Sequence, residues 1–369
     1  MRIAFKPLNE VANIIMGQSP SSQTYNFSGH GLPFFQGKTE FGDVNPIAVK
    51  WCSEPKKIAL PEDILISVRA PVGPTNLAIE RCCIGRGLAA IRAKAVIINR
   101  DYLWYFLQAS EKQLVEKGQG STFEAISSGD LNSFKIPVVK TEDQLRIAVR
   151  LKAQLAEVEK ARNAVIVQLS ETTNLAYAII MDSINKTKTK KRHLGDVLEE
   201  LKTGIGENWA DYPVLGATRD GLAPAKEPPG KKPQRYKPVF TGTVFYNPMR
   251  ILIGSIAFVD KDDLPGITSP DYVALKGKEN AVDSRWFYYW LRSPLGEQCI
   301  NSLARGAVRE RMLFTRLAEG EIELPEYSIQ QTASTALAEL KPMRRAVEQK
   351  LNEIKLMPSK ILSQTFEMN

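Results

Sequence analysis

The stretch from Glu142 to Ser183 most constrains the fold, because it carries an apolar residue at every third or fourth position and contains no Gly or Pro. A repeat of 3.5 residues predicts a helix that packs lengthwise on another helix. At about 1.5 Å per residue, a helix of about 40 residues is roughly 60 Å long, which is long for one globular core. The predicted seam is Ala148, Leu151, Leu155, Val158, Arg162, Val165, Leu169, Thr172, Ala176 and Ile179.

A second seam between Gln330 and Phe366 predicts the partner helix. Pro342 and Pro358 each remove a backbone donor, so we expect them to kink or divide it. We interpret the two helices as an antiparallel coiled coil, and two unrelated amphipathic helices remain the alternative. The second seam is Leu337, Leu340, Arg344, Val347, Leu351, Ile354 and Ile361.

The composition is typical of a soluble globular protein, with 43% apolar and 24% charged residues among 369. That length favours two domains over one. The apolar run from Ile251 to Val259 is too short to cross a bilayer, and the first ten residues lack the apolar core of a signal peptide. We therefore expect a cytoplasmic location.

Few residues suit catalysis or metal binding. The cysteines are Cys52, Cys82, Cys83 and Cys299, and the histidines are His30 and His193, without the spacing of a zinc or disulfide framework. No phosphate-binding glycine motif follows a predicted strand. We predict no catalytic residue, no metal site and no cofactor bound by this chain. An enzyme with Cys82 or Cys83 as nucleophile is an alternative.

The sequence contains an internal repeat. Leu8 and Leu194 are 186 residues apart, and the same distance separates Gly120 from Gly306 and Leu131 from Leu317. Predicted strands are Ile64 to Val68 and Cys83 to Ile91, with Ile251 to Val259 and Asp271 to Leu275 as their counterparts. Predicted helices are Asp101 to Glu116 and Asp283 to Ser302, each capped by its first Asp.

The repeat predicts a mixed α/β protein with the order domain, helix, domain, helix. We place the first domain at 1–141, the first long helix at 142–184, a basic linker at 185–192, the second domain at 193–327 and the second long helix at 328–369. The linker is either a solvated connector or a contact to a DNA backbone.

A net charge of +8 and a pI near 9.1 fit a surface that binds a polyanion. Arginines can read guanine or hold phosphate, amides and hydroxyls can contact bases or phosphates, and lysines in a Pro-rich loop can follow a phosphate backbone. The DNA-binding candidates are Gln18, Ser19, Gln36, Lys38, Arg69, Arg86, Gln119, Ser121, Thr122, Lys226, Lys231, Lys232, Arg235, Lys237, Arg305, Arg309 and Arg311.

These motifs, in this order, resemble the specificity (S) subunit of type I restriction–modification systems. The points of resemblance are Gly17 to Pro20, Ile66 to Gly73, Gly120 to Thr122 before Ile126-Ser127, Asp130-Leu131 before Ile136-Pro137, and Gln144 at the start of the long helix. The second copy departs from the pattern at Val308 to Met312. Because the chain is compact for a type I subunit, a type IIB-like specificity subunit also stays open.

The resemblance implies that each domain is a target-recognition domain that reads half of a bipartite double-stranded DNA target. It implies that the antiparallel helices fix the spacing and dock two methyltransferase (M) subunits. Those subunits carry S-adenosylmethionine and methylate adenine N6, and restriction (R) subunits that use ATP and Mg can join. A non-catalytic two-domain adaptor without sequence-specific DNA binding is the alternative.

Overall fold

The computed structural model describes residues 3–118, 125–304 and 311–366. The fold is mixed α/β, and the chain divides into two units. Unit 1 contains residues 1–164 and 351–369, and unit 2 contains residues 165–350. Each unit therefore holds one domain together with part of both long helices.

Unit 1 is built from short strands and five helices' worth of chain order that starts at Ala4. Its strands are β1 Ala4–Pro7, β2 Ala12–Met16, β3 Tyr25–Asn26, β4 Leu32–Phe35, β5 Trp51–Cys52, β6 Ile58–Ala59, β7 Ile64–Ser67, β8 Thr75–Leu77, β9 Cys82–Ile84, β10 Leu88–Ala93 and β11 Lys135–Val138. Its helices are α1 Leu8–Val11, α2 Arg100–Ala109, α3 Glu111–Gly118, α4 Ser128–Ser133 and the first part of α5 Thr141–Asn185.

The central sheet of unit 1 has the order β2-β10-β7-β8, with antiparallel neighbours. One face of β7 and β10 packs against α2, where Tyr102 and Leu103 are buried. The stretch predicted as one strand from Cys83 to Ile91 is two strands, because a turn at Gly85 to Gly87 separates β9 from β10. The cap of α2 is Asn99, whose side chain accepts from the N–H of Tyr102 over 3.0 Å, so the prediction of Asp101 as cap was wrong.

Unit 2 repeats this plan. Its strands are β12 Lys190–His193, β13 Leu198–Glu200, β14 Leu215–Thr218, β15 Gly221–Pro224, β16 Lys237–Val239, β17 Val244–Tyr246, β18 Ile256–Phe258, β19 Gly266–Thr268, β20 Val273–Gly277 and β21 Glu321–Leu324. Its helices are α6 Leu194–Val197, α7 Ser284–Leu291, α8 Pro294–Leu303, α9 Phe314–Leu317 and the first part of α10 Tyr327–Phe366.

The central sheet of unit 2 has the order β13-β20-β17-β18, which is the order of unit 1. The counterpart of β7 is therefore β17, and the predicted counterpart, Ile251 to Val259, was wrong. That stretch forms a 3-10 helix at Ile251–Ile253 and the edge strand β18. Asp283 caps α7 as predicted, since its side chain accepts from the N–H of Trp286 over 2.9 Å. The helix ends at Leu291, because Ser293 and Pro294 begin a new one.

The predicted repeat is confirmed by the bounds of these elements. Elements β12, α6, β21 and α10 each begin 186 residues after β1, α1, β11 and α5. The N-terminal strand of each copy pairs antiparallel with the strand that precedes its long helix. The predicted linker at 185–192 is shorter than expected, because Lys190 to Arg192 already belong to β12.

The two long helices are continuous. Helix α5 covers the predicted seam, whose residues are buried or partly buried. Helix α10 runs through Pro342 and Pro358 without interruption, so the prediction that they divide it was wrong. A proline removes one donor, and apolar contacts of the flanking turns at Leu340 and Ile354 offset that loss.

Both helices contribute to the core of each unit. In unit 1, Ala148 and Leu151 of α5 and Leu362 of α10 belong to one buried cluster. In unit 2, Ala176 and Ile180 of α5 share a cluster with Leu337 of α10. The antiparallel coiled coil itself stays a prediction.

Helix α5 is also long and apolar enough to cross a membrane by composition, since 18 of its residues reach a mean hydropathy of 1.3. Only 17% of that window is buried. The buried residues pack in the core of unit 2, which is an ordinary role for an apolar stripe of a helix. One such helix is weak evidence for a membrane span.

Candidate nucleic-acid interface

One edge of the central sheet in unit 1 gathers several of the predicted DNA-binding residues. Strands β2 and β7 are antiparallel to β10, so their ends lie beside its start. The N–H of Gly17 donates to the carbonyl of Leu88 over 2.8 Å, and that of Val68 donates to Gly87 over 2.9 Å. These bonds bring Gln18, Arg69 and Arg86 to one edge, and all three side chains are exposed.

A neighbouring loop completes this edge. Ser19 Oγ accepts from the N–H of Arg86 over 3.2 Å, and the N–H of Gly85 donates to Phe35 over 2.8 Å. A Cβ on Gly87 would lie 2.3 Å from the carbonyl oxygen of Gln36, so this approach requires glycine. We call the resulting surface the first edge. It consists of Gln18, Ser19, Gln36, Lys38, Arg69 and Arg86.

Three further candidates of the first copy, Gln119, Ser121 and Thr122, lie outside the described residues. The chain re-enters the described part at Ala125, which forms an isolated antiparallel bridge with Arg69. The N–H of Ile126 donates to the carbonyl of Val68 over 2.9 Å. The described chain on that side of the gap therefore starts at the first edge.

The corresponding edge of unit 2 lies at the ends of β13 and β17 and the start of β20. Arg311 is held there, because the N–H of the next residue, Met312, donates to the carbonyl of Pro248 over 3.1 Å. The Arg311 guanidinium pairs with Asp271 over 3.1 Å. Both side chains are well exposed, so this pair is weak and its cation can exchange partners. Arg305 and Arg309 lie outside the described residues.

The Pro-rich loop of unit 2 packs beside the same edge. The N–H of Ile205, in the segment that follows β13, donates to the carbonyl of Tyr236 over 2.7 Å. The Tyr236 hydroxyl accepts from the N–H of Gly230 over 2.9 Å, which ties the loop to itself. The loop is not extended throughout, because Pro233–Arg235 form a 3-10 helix. Its exposed cations are Lys226, Lys231, Lys232 and Arg235; with Arg311 they form the second edge.

Lys237 conflicts with its predicted role. It belongs to β16 and is only 9% exposed, and its ammonium group donates to the carbonyl of Tyr272 over 2.6 Å. Burial lowers the pKa of this group. The sequence placed Lys237 among the loop cations because a Pro follows it, but β16 begins at this residue.

Sequence reasoning missed an aromatic group beside the first edge. The Tyr25 ring stacks on Phe34 with centroids 4.7 Å apart, and its hydroxyl donates to the carbonyl of Pro20 over 2.9 Å. The Lys50 ammonium lies 5.4 Å from the Tyr25 ring centroid and 5.9 Å from that of Phe27. The signal in the sequence was an aromatic residue between an Asn and a Ser-Gly turn.

Comparison with known sequences identifies the domain that carries the first edge. A sequence model described as "Type I restriction modification DNA specificity domain" matches residues 3–168. Residues 3–168 belong to that family. The specificity domain thus covers the domain of unit 1, including all residues of the first edge, and the beginning of α5.

Curated relatives match over part of their length. A protein of Methanocaldococcus jannaschii assigned as the type I restriction enzyme MjaX specificity subunit is 48% identical over 140 residues, or 38% of this chain and 33% of the relative. The type I restriction enzyme EcoDI specificity subunit of Escherichia coli is 25% identical over 161 residues, or 43% of this chain and 33% of the relative. The matches thus span about a third of each relative.

One solved structure matches along the whole chain. It is the S subunit of a type I restriction–modification system from M. genitalium, with 14% identity and a TM-score of 0.52. The alignment covers 100% of this chain and 97% of that one. At this identity the likeness shows the fold alone, and it includes the part of the chain beyond the specificity domain.

The cysteines of the specificity domain do not suit nucleophilic catalysis. Cys82 and Cys83 are fully buried, and burial raises the pKa of each thiol to about 12. A thiol with such a pKa is almost entirely protonated at neutral pH and is a poor nucleophile. The geometry therefore argues against the alternative of a cysteine enzyme.

Proposed function

We propose that this chain is the DNA-specificity subunit of a type I restriction–modification complex and has no catalytic residues of its own. The observation that carries the proposal is the pair of equivalent sheet edges, one in each unit, each lined by exposed cations. The first edge lies in the specificity domain. Repetition of the same sheet order places the second edge at the same position of the second copy.

Each edge suits one half of a bipartite DNA target. Exposed lysines and arginines gain affinity by releasing counterions from phosphates, whereas amide and guanidinium groups read base edges in the major groove. The first edge offers Gln18 and Gln36 together with Arg69 and Arg86. The second edge is richer in cations, so we propose that it depends more on phosphate contacts.

The partners follow from the same proposal. The chain acts with double-stranded DNA and with methyltransferase subunits, which carry S-adenosylmethionine and methylate adenine N6. We propose two such subunits, since the chain has two domains and two long helices. Restriction subunits that use ATP and Mg join the same complex in the cytoplasm, and a type IIB-like assembly is a second arrangement with the same DNA-reading role.

The deciding experiment is a genome-wide map of N6-methyladenine in a host free of adenine methylation. The host expresses the cognate methyltransferase subunit with or without this chain. A bipartite motif that appears only with the chain supports the proposal and reads out both half-sites. A soluble complex that leaves the genome unmodified would favour the adaptor, and DNA retention that does not change with salt would agree with that outcome.

A further inference from the structure

The loop between β3 and β4 holds an aromatic side chain in solvent. Phe27 is 74% exposed. The Asn26 carboxamide closes the loop around it, because Oδ1 accepts from the N–H groups of Ser28 over 3.2 Å and His30 over 2.9 Å. The Nδ2 group also donates to the carbonyl of His30 over 2.7 Å. These bonds keep the backbone around Phe27 in one conformation.

Two glycines fix the exit of this loop. Gly29 and Gly31 have φ angles of +83° and +93°, which favour glycine. A Cβ on Gly31 would lie 2.2 Å from the carbonyl oxygen of Cys52, so the loop sits tightly on β5. The loop is therefore a fixed support rather than a loose connection, and it presents Phe27 outward.

The exposed ring adjoins the first edge. Lys50 lies over both Phe27 and Tyr25, and the Tyr25 hydroxyl binds Pro20, which directly follows Gln18 and Ser19. Arg86 is close enough to Tyr25 to act on its hydroxyl electrostatically. An aromatic ring with a cation beside it thus extends the surface that carries the amides and guanidinium groups.

The chemistry around the ring selects the ligand. A lone exposed apolar side chain is common and needs no explanation by itself. Here the neighbours in sequence are polar (Asn26, Ser28 and His30), so they do not form the apolar patch that a protein partner needs. The DNA major groove has one apolar group, the C5-methyl of thymine, and phosphates that attract a lysine lie along its rim.

We propose that Phe27 contacts the C5-methyl group of a thymine in the half-site read by unit 1, while Lys50 contacts a neighbouring phosphate. Phe27 is then a specificity-determining residue. This inference rests on the proposed function, since it concerns the same DNA target. It adds one base preference, for thymine, that the amide and guanidinium groups of the first edge do not supply.

The test uses the full chain in complex with its methyltransferase subunit and duplexes that carry the methylated motif. Each thymine of the half-site read by unit 1 is replaced in turn by uracil, which lacks only the methyl group. We expect one uracil to lower the affinity of the unmodified complex about three- to tenfold. Phe27→Ala should lower the affinity for the thymine duplex by a similar factor and respond no further to that uracil.

Two variants separate a contact from a folding effect. Phe5→Ala removes a ring that is 61% exposed on β1, before β2 begins, and should leave affinity and motif unchanged. Phe27→Leu keeps an apolar side chain and should retain part of the response to the methyl group. Circular dichroism of each variant reports whether the fold is intact.

Several results would overturn the inference. They are a half-site without thymine, a Phe27→Ala complex that binds like the unmodified one, and a loss of affinity that is the same whether or not the methyl group is present. The last result would indicate a wedge between base pairs instead. Failure of the proposed function looks different, because the unmodified complex would then yield no methylated motif.

Discussion

The backbone N–H of Asn99 donates to Oε1 of Gln144 over 2.7 Å, which joins the cap of α2 to the start of α5. The Gln144 amide nitrogen donates to the carbonyls of Ile97 and Val139 over 3.1 Å and 2.8 Å. Unit 2 repeats the arrangement, since the N–H of Asp283 donates to Oε1 of Gln330 over 2.9 Å. Gln144 and Gln330 are both buried and are 186 residues apart. A buried glutamine thus fixes each long helix to its own domain.

Replacing Gln144 or Gln330 by Ala should therefore destabilise the corresponding unit. The change leaves one N–H and two carbonyls without their partner in a buried place, which costs about 2–4 kcal/mol. Thermal or urea unfolding measures the loss. Gln154→Ala and Gln331→Ala, at exposed positions of α5 and α10, are the matched controls and should change stability by less than about 0.5 kcal/mol. Equal effects of buried and exposed substitutions would contradict this role.

The loop cations of the second edge should determine the salt dependence of DNA binding. Each phosphate contact contributes about 0.9 to the slope of log K against log salt concentration. Lys231→Ala with Lys232→Ala should therefore reduce the slope by up to about 1.8 and weaken binding to all sequences alike. Lys350→Ala with Lys355→Ala, at exposed positions of α10, removes the same charge and serves as control. A slope that is unchanged in the loop variant would remove these lysines from the interface.

The long helices should set the distance between the half-sites. Seven residues inserted into α5 after Ala164 and into α10 before Leu351 lengthen each helix by about 10.5 Å, or about three base pairs of DNA. We expect the unread spacer to grow by about that number while both half-sites stay the same, as read from the methylated motif. A seven-residue insertion between Lys186 and Thr189 is the control. An unaltered spacer in the helix variant would exclude the helices as a ruler.

The ion pair of Asp260 and Arg285 should make the stability of unit 2 depend on pH. Burial disfavours the ionised carboxyl, but hydrogen bonds from Arg285, one of 3.0 Å, outweigh it and lower the pKa of Asp260. A lowered pKa stabilises the fold above the unfolded pKa of about 4, and this contribution disappears as the pH falls through the folded pKa. Asp260→Asn should therefore lower stability at pH 7 and much less below pH 3.

The measurement is the free energy of unfolding between pH 7 and pH 2. The curve of the unmodified protein should fall more steeply on acidification than that of Asp260→Asn. Asp262→Asn replaces a neighbouring carboxyl and should leave the shape of the curve as it is in the unmodified protein. Parallel curves for Asp260→Asn and the unmodified protein would show that the pair does not couple folding to protonation.

The repeat and the helices were predictable because they depend on long-range regularity of sequence. A seam of period 3.5 persists over many turns in α5, so no single exception such as Arg162 hides it. The equal spacing of Leu8 and Leu194 was visible because the elements around both ends of each domain have the same length. These features come from many residues that agree with one another.

The details that failed depend on few residues. Strand β17 has three residues, too few for a periodic signal, and the more apolar stretch that follows it took its place in the prediction. Asn99 and Asp101 both suit a helix cap, and only the geometry decides between them. Phe27 escaped notice because its exposure follows from the hydrogen bonds of Asn26, which no composition or period reveals.

The division of both long helices between the units has a consequence for the covalent chain. A cut in the connector between Asn185 and Lys190 yields two fragments, of which each contains one domain and part of the other unit's core. Unit 1 would still need Leu362 and Phe366 from the second fragment, and unit 2 would still need Ala176 and Ile180 from the first. The two halves of the chain therefore exchange helix ends, so neither half carries a complete unit by itself.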